Sequence, residues 1–172
     1  MKRFLVPLLL TLLFVIEGLF AQLLPANLFN GDYILVPRLL IMAIFFLTIY
    51  GSVKHGIIYG FVYGLLFDMV YTEIIGVYLF LFPLTTYFFL MIMKVVQTHI
   101  LVVSFVSLIS IAALEAAVYG MNLLIHIADI DFTSFTEIRL VPTLALNLIF
   151  VILFAYPFKK QFEKFADRLR ND

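Results

Sequence analysis

Long apolar runs separated by short polar stretches make up most of this 172-residue chain. A helix that crosses a bilayer needs about 20 consecutive, mostly apolar residues. Six segments reach or approach that length, so the pattern predicts an all-α integral membrane protein, a bundle of six transmembrane helices. Their expected bounds are about 4–24, 37–53, 56–72, 75–93, 100–127 and 139–158. Only Lys54 and His55 separate the second segment from the third, and polar residues near Thr72 and Glu73 separate the third from the fourth.

The first segment, MKRFLVPLLLTLLFVIEGLF, has two interpretations. A basic start followed by an apolar run is typical of a secretory signal peptide, here with cleavage after Ala21. Leu19 is a poor residue for the third-last position of such a cleavage site, and Glu17 interrupts the apolar run. Because the run is also long enough to span a bilayer, we interpret it as a retained first membrane helix.

Composition and charge support a membrane location and an orientation. The chain is 65% hydrophobic and 13% charged, whereas soluble domains are about 45–50% apolar and about 25% charged. With six spans, one side of the membrane carries only Arg38 and Arg139, and the other side carries the remaining Lys and Arg residues. Positive residues favour the cytoplasmic side, so both termini are expected in the cytoplasm. The residues on that side are Lys2, Arg3, Lys54, Lys94, Lys159, Lys160, Lys164, Arg168 and Arg170.

A stripe of glycines runs along the third segment, at Gly56, Gly60 and Gly64. Positions four apart lie on one face of a helix. Glycines on such a face let a second membrane helix approach closely, which increases dispersion contacts between the two backbones. The stripe therefore predicts a helix-packing face.

Asp68 continues the stripe inside the membrane. A carboxylate costs roughly 2.5–3.5 kcal/mol at the bilayer centre, so we expect Asp68 to pair with Arg38 or Arg139 on the same outer side. Glu17 and Glu115 lie within the first and fifth segments, and Asn122 shares a helix face with Glu115. Arg139, Thr143 and Asn147 recur every four residues and form a polar stripe on the sixth segment. Together these residues predict an intramembrane polar cluster, which is either a structural clamp between helices or a site for a partner or ligand. Its members are Glu17, Arg38, Asp68, Glu115, Asn122, Arg139, Thr143 and Asn147.

Two similar phrases follow the two longest outer loops, LVPRLL at 35–40 and RLVPTL at 139–144. Proline is well tolerated in the first turn of a helix, where its missing N–H would have no partner. Each phrase also follows a helix with one internal glutamate. The repetition indicates a weak internal duplication, a feature of many transporter folds.

The C-terminal stretch FKKQFEKFADRLRND has a different pattern. Its apolar residues recur at helical spacing, at Phe158, Phe162, Phe165 and Leu169, and Lys and Arg fill much of the remainder. This predicts a basic amphipathic helix, suited to the membrane surface or to a partner's groove. The simpler interpretation is an extension of the last span that rests on lipid headgroups. The expected organisation is thus one transmembrane domain, 1–158, and a cytoplasmic tail, 159–172.

Several classes of chemistry are disfavoured by what the sequence contains. There is no Cys, which excludes disulfides, thiolate metal sites and thiol catalysis. His55, His99 and His126 do not share a predicted face and depth with two carboxylates, so we expect no metal site. No phosphate-binding glycine loop, nucleophile elbow, selectivity-filter loop or nucleic-acid-type basic patch is present. The sequence therefore predicts a protein that is not an enzyme and that needs no cofactor.

The run YGFVYGLLFDMVYTEIIGVYLF, residues 59–80, resembles the best-marked region of MreD, the family of bacterial rod shape-determining membrane proteins. That family tends to show a G-L-L-x-D stretch followed by a glycine, matched here by Gly64, Leu65, Leu66, Asp68 and Gly76. The phrase LVPRLL and the short basic tail also look like MreD proteins of Gram-positive bacteria. The resemblance extends over the whole chain in length and helix count.

The resemblance implies a non-enzymatic scaffold of the cell-elongation machinery in the bacterial cytoplasmic membrane, one that determines cell shape and supports peptidoglycan synthesis. The implied partners are MreC first, then RodA with its penicillin-binding protein, and MreB filaments. The family's fold is similar to the substrate-binding subunits of energy-coupling-factor vitamin transporters, so a small-solute-binding permease component is the alternative. Side chains that close the outer pocket would favour the scaffold, and an enclosed wet cavity of roughly a few hundred Å³ would favour the permease.

Overall fold

The computed structural model describes residues 4–23, 33–72, 74–126 and 130–171, and all regular secondary structure in these ranges is helical. We number the helices in chain order. They are α1 (Leu5–Leu23), α2 (Leu39–Gly51), α3 (Val53–Tyr71), α4 (Val77–Met93), α5 (Ile100–Leu124) and α6 (Phe132–Asn171). By length and composition, α3, α5 and α6 can each cross a membrane, while the apolar parts of α1, α2 and α4 are shorter.

The shortest of these helices, α2, forms the centre of the fold. Each residue from Leu39 to Leu47 is at most 3% exposed, and α2 contacts all five other helices. A helix that is hydrophobic on every side is expected in such a position. The other helices surround α2 and turn bulky apolar side chains outward, among them Leu8, Phe105 and Ile152. This arrangement fits a bundle whose outer surface contacts lipid.

The glycine stripe lies between α3 and its two neighbours. A Cβ atom added at Gly60 would lie 3.3 Å from the backbone of Pro83 in α4, and one at Gly64 would overlap the backbone carbonyl of Tyr78. A Cβ at Gly56 would instead overlap the side chain of Thr48 in α2. The stripe thus allows α4 and α2 to approach α3 at backbone distance, and α3 and α4 form the most extensive helix pair.

Helix α6 departs most from the sequence prediction. It begins at Phe132, within the predicted outer loop 128–138, so the prediction of a loop up to residue 138 is wrong. Asp131 explains the early start, because its carboxylate accepts hydrogen bonds from the N–H groups of Thr133 and Ser134, at 3.2 and 3.3 Å. Hydrogen bonds from Ser134 and Thr133 hold the pKa of the Asp131 carboxyl below its ordinary value. A wider π-helical turn, Thr136–Leu140, then joins the first turn to the rest of the helix.

The C-terminal end of α6 is not a separate tail. The helix continues without interruption to Asn171, and Phe158, Phe162 and Phe165 are each at most 8% exposed. The ring of Phe158 lies 6.1 Å from that of Phe46, and the ring of Phe165 lies 5.3 Å from that of His55. The expectation that this apolar face rests on headgroups or binds a partner is therefore wrong for these three residues, because α2 and α3 already cover them. Leu169 is 41% exposed.

Candidate functional site

A non-helical segment, residues 33–38, leads into the buried start of α2. Inside a bilayer, such a backbone is stable only where protein groups satisfy its N–H and C=O groups. Asn147 of α6 does so twice: its Oδ1 accepts from the Arg38 N–H and its Nδ2 donates to the Val36 carbonyl, both at 2.8 Å. Thr143 Oγ1, one turn earlier, accepts from the Val36 N–H at 3.3 Å. Thr143 and Asn147 of α6 thus supply hydrogen bonds that water would otherwise make with this segment.

A glutamate from α1 completes the start of α2. Glu17 Oε2 accepts a hydrogen bond from the Leu40 N–H at 3.0 Å, and the residue is 2% exposed. The first N–H groups of a helix have no partners within the helix, and a negative charge near them is favourable. Arg38, the residue before α2, makes no side-chain cap. Glu17 therefore caps α2 from a different helix.

Arg38 lies at the centre of a buried group of charges. Its Nε donates to Glu115 Oε1 at 2.5 Å, and Arg139 Nε donates to Glu115 Oε2 at 3.0 Å. Arg38 and Glu115 are almost fully buried, whereas 30% of the Arg139 side chain is exposed. We call Glu17, Arg38, Glu115 and Arg139 the charge cluster. The phrases LVPRLL and RLVPTL therefore meet in space, each contributing one arginine to the same carboxylate.

Aromatic residues surround the rest of the Arg38 guanidinium. Its Nη2 donates to the Tyr78 hydroxyl at 2.9 Å. Its central carbon lies 5.1 Å from the ring centroid of Tyr78 and 5.6 Å from that of Phe67, distances at which cation–π attraction operates. Arg38 Nη1 and Glu17 Oε1 face each other at 3.7 Å. Neither of these two atoms has a hydrogen-bond partner among the described residues.

The charge cluster is formally neutral, with two carboxyl groups and two guanidinium groups. Removing four charges from water is costly, and the cost is recovered only when the groups pair and form hydrogen bonds with each other. Here one arginine reaches both glutamates, and the cluster connects α1, α5 and α6 to the start of α2. Its geometry is that of a clamp that holds four parts of the chain in one arrangement.

Asp68 is separate from the charge cluster, which corrects the expectation that it pairs with Arg38 or Arg139. Its carboxylate accepts hydrogen bonds from the N–H groups of Gly76, Tyr78 and Leu79, at 2.8, 2.9 and 2.9 Å. Asp68 is fully buried and so caps α4 from α3. The physical reason is that Gly76, at the N-cap with a φ of 122°, has no side chain to cap the helix itself. Tyr78 links the two sites, since its N–H binds Asp68 and its hydroxyl binds Arg38.

We predict that Asp68→Ala lowers the melting temperature in detergent, by an amount equivalent to about 1–2 kcal/mol. The variant should still insert into the membrane, because the apolar helices are unchanged. Asp68→Asn is the matched control, since it keeps one carbonyl acceptor and should lose less. If Asp68→Ala melted at the temperature of the wild type, the capping role of Asp68 would be wrong.

A cavity of about 230 Å³ lies beside the charge cluster. Glu17, Arg38, Tyr71, Tyr78 and Arg139 are among the residues that line it. It is half open, so the side chains neither fill it nor close it completely.

The predicted polar cluster is therefore only partly assembled in the structure. The four residues of the charge cluster meet, and Thr143 and Asn147 contact the segment 33–38. Asp68 lies apart from them and caps α4. Asn122 lines a smaller pocket of about 90 Å³ together with Arg139. Sequence reasoning missed Tyr78, which lies in an apolar run and has no polar neighbour that would mark it. Among the described residues, no group of three His, Asp or Glu residues could hold a metal ion.

Comparisons with known proteins agree over the whole chain. A family model for the rod shape-determining protein MreD matches residues 2–165. The rod shape-determining protein MreD of Bacillus subtilis strain 168 is 34% identical over 172 residues, and the match covers 100% of both chains. No solved structure matches the chain significantly.

Proposed function

Because the chain belongs to the MreD family of rod shape-determining proteins, we propose that it is a non-enzymatic scaffold of the cell-elongation machinery. The family prediction from residues 59–80 is confirmed by this membership, which gives the protein a role in cell shape. In our proposal, it fulfils that role by binding MreC and supporting peptidoglycan synthesis along the side wall. RodA with its penicillin-binding protein, and MreB filaments, are the further partners.

The proposed setting is the bacterial cytoplasmic membrane, with six spans and both termini in the cytoplasm. The charge distribution supports this orientation, because the exposed Lys160 and Lys164 lie at the end of α6 that would face the cytoplasm. The central helix α2, Leu39–Gly51, is about 20 Å long at 1.5 Å per residue. In this proposal the segment 33–38 spans the part of the membrane that α2 is too short to cross. Its hydrogen bonds to α6 satisfy the backbone groups that lipid could not.

The observation that carries the scaffold proposal is the pairing within the charge cluster. Glu115 binds two arginines through its two oxygens, and Arg38 reaches both glutamates. Side chains held in this way stabilise one arrangement of helices. A rigid outer surface is what a protein needs in order to hold partners in a fixed geometry.

The test is to purify the tagged protein from its native host in mild detergent and to identify co-purified proteins by mass spectrometry. We expect MreC to be recovered in near-stoichiometric amount, with RodA in smaller amount. Arg38→Ala should lose MreC along with the fold, while Gly120→Ala, at a position with open space around it, should retain MreC. Absence of MreC from the wild-type sample, with the protein intact, would contradict the scaffold proposal.

A small-solute-binding permease component is the second candidate function, and the cavity beside the charge cluster favours it. Its 230 Å³ could hold a small molecule, and Glu17 Oε1 and Arg38 Nη1 offer an acceptor and a donor. A permease component would co-purify with ABC-type ATPases and a coupling subunit instead of MreC. Filling the cavity with Val36→Phe should then abolish function, whereas Leu148→Phe on the exposed surface should not. Under the scaffold proposal, both variants should restore rod shape in cells that lack the native protein.

A further inference from the structure

A wide groove runs between α1 and α6 on the outside of the bundle, with a volume of about 620 Å³. It is lined almost entirely by apolar side chains, and α1 and α6 form no extensive direct contact. One polar side chain, that of Gln161, lines one end of the groove. Other lining residues include Leu8, Leu12, Ile16, Phe150 and Phe154.

The groove is closed at one end and open at the other. At the closed end, the rings of Phe20 and Phe150 are in edge-to-face contact, with centroids 6.0 Å apart. From Phe150 to Gln161 the α6 wall is about 16 Å long, and from Leu5 to Phe20 the α1 wall is about 22 Å long, at 1.5 Å per residue. The hydrocarbon core of a bilayer is about 30 Å thick, so one leaflet contributes about 15 Å. The α6 wall therefore matches about one leaflet, and the α1 wall is longer than one leaflet but shorter than the whole hydrocarbon core.

The walls of the groove suit a flexible chain better than a helix. Membrane helices associate through small residues that let the two backbones approach, but the groove is lined by leucine, isoleucine and phenylalanine. The glycine stripe of this protein is used elsewhere, between α3 and its neighbours. A partner helix packed along the groove would also meet the Phe20–Phe150 contact before it reached the end of α1.

Basic side chains follow the open end of the groove. Lys164 and Arg168 come three and seven residues after Gln161, which places them near the same face of α6. Lys164 is exposed. An amide and two cations just beyond an apolar groove are complementary to a lipid that has an anionic headgroup and a long acyl chain.

We propose that this groove binds an acyl chain of one anionic phospholipid, whose phosphate lies against Gln161, Lys164 and Arg168. The lipid comes from the leaflet that faces the C-terminal end of α6. It fills the space between α1 and α6 and so completes the packing of α1, which has few contacts with the other helices. The inference stands independently of the scaffold proposal, since it concerns a different face of the bundle.

The test is lipid-dependent melting of the full-length protein after delipidation in detergent. Dioleoylphosphatidylglycerol should raise the melting temperature of the wild type by about 3 °C or more. Dioleoylphosphatidylcholine, which has the same chains and no net charge, should raise it by less than about 1 °C. Native mass spectrometry of the same samples should show one retained phosphatidylglycerol per chain.

Two variants locate the effect, and each has a matched control. Leu12→Trp fills the groove and Lys164→Glu reverses the charge at its open end, so both should remove most of the phosphatidylglycerol shift. Ile152→Trp, on an exposed position of α6 that does not line the groove, and Lys160→Glu should keep it. Equal shifts with the two lipids, or a phosphatidylglycerol shift that survives Leu12→Trp, would overturn the proposal. So would displacement of the bound lipid by a stoichiometric transmembrane helix of a co-purified protein.

Discussion

Replacing Arg38 by alanine is expected to cost about 3–5 kcal/mol, enough to prevent accumulation of folded protein. The change leaves Glu115 with one partner and Glu17 with no facing cation, both in the interior. It also removes the donor to the Tyr78 hydroxyl and the cation from between two aromatic rings. A buried charge without its partner is among the most destabilising changes in a protein, and more so where lipid replaces water.

The measurements are the yield of monodisperse protein on size exclusion in detergent and the rescue of rod shape in cells that lack the native protein. Arg139→Ala is the matched control, because that side chain binds the same carboxylate but is 30% exposed, and it should lose far less. Combining Arg38→Met with Glu115→Gln removes both charges and should recover part of the stability that Arg38→Ala loses. Wild-type yield of Arg38→Ala would show that the charge cluster does not hold the fold together.

Among the glycines that the structure describes, Gly64 should be the one at which alanine is most damaging, with a cost of about 3 kcal/mol. The new Cβ would overlap the carbonyl group of Tyr78 and lie 3.0 Å from the Cα atom of Leu79. Both are backbone atoms at the first turn of α4, so no side chain can rotate away. The helices would have to separate at the point where Asp68 caps α4 and where Tyr78 reaches Arg38. We therefore expect both sites to be disturbed together.

Gly120→Ala is the control, since it makes the same chemical change within a helix but meets nothing within 4 Å. Alanine is the better helix former, so this variant should be neutral or more stable by up to about 1 kcal/mol. Melting temperatures in detergent, measured side by side, give the comparison. Similar effects for the two variants would mean that α3 and α4 are not held at backbone distance.

The function proposed here depends on this rigidity. The charge cluster, the cap from Asp68 and Gly64 all act on the same region, where the segment 33–38 meets α4 and α6. A scaffold of the cell-elongation machinery needs its helices held in one arrangement so that it presents a constant surface to its partners. Loss of rod shape in variants that still fold would locate the partner surface, whereas loss of the folded protein would identify the internal support.

Several features followed from the sequence because they depend on local spacing. Residues four apart share a helix face whatever surrounds them, so the packing role of Gly60 and Gly64 could be predicted from their spacing. The helical class followed from the apolar runs, and the family followed from the stretch around Asp68 and Gly76. Burial of Glu17, Arg38 and Glu115 together was also predictable, because lipid offers isolated charges no alternative partner.

Other features were decided only by the tertiary structure. Asp68 was expected to bind an arginine. It caps α4 instead, because Gly76 has no side chain that could do so and the start of α4 lies within reach of the Asp68 carboxylate. Which acceptor a donor finds depends on distances between helices, and those do not appear in the spacing of residues along the chain. In the same way, Phe158, Phe162 and Phe165 have the spacing of a surface helix, yet α2 and α3 cover them. The sequence by itself determined the helices, their polar faces and the family, because these rest on local periodicity and composition. Only the tertiary structure decided which polar group met which, because hydrogen bonds and ion pairs act over a few ångströms between segments far apart in the chain.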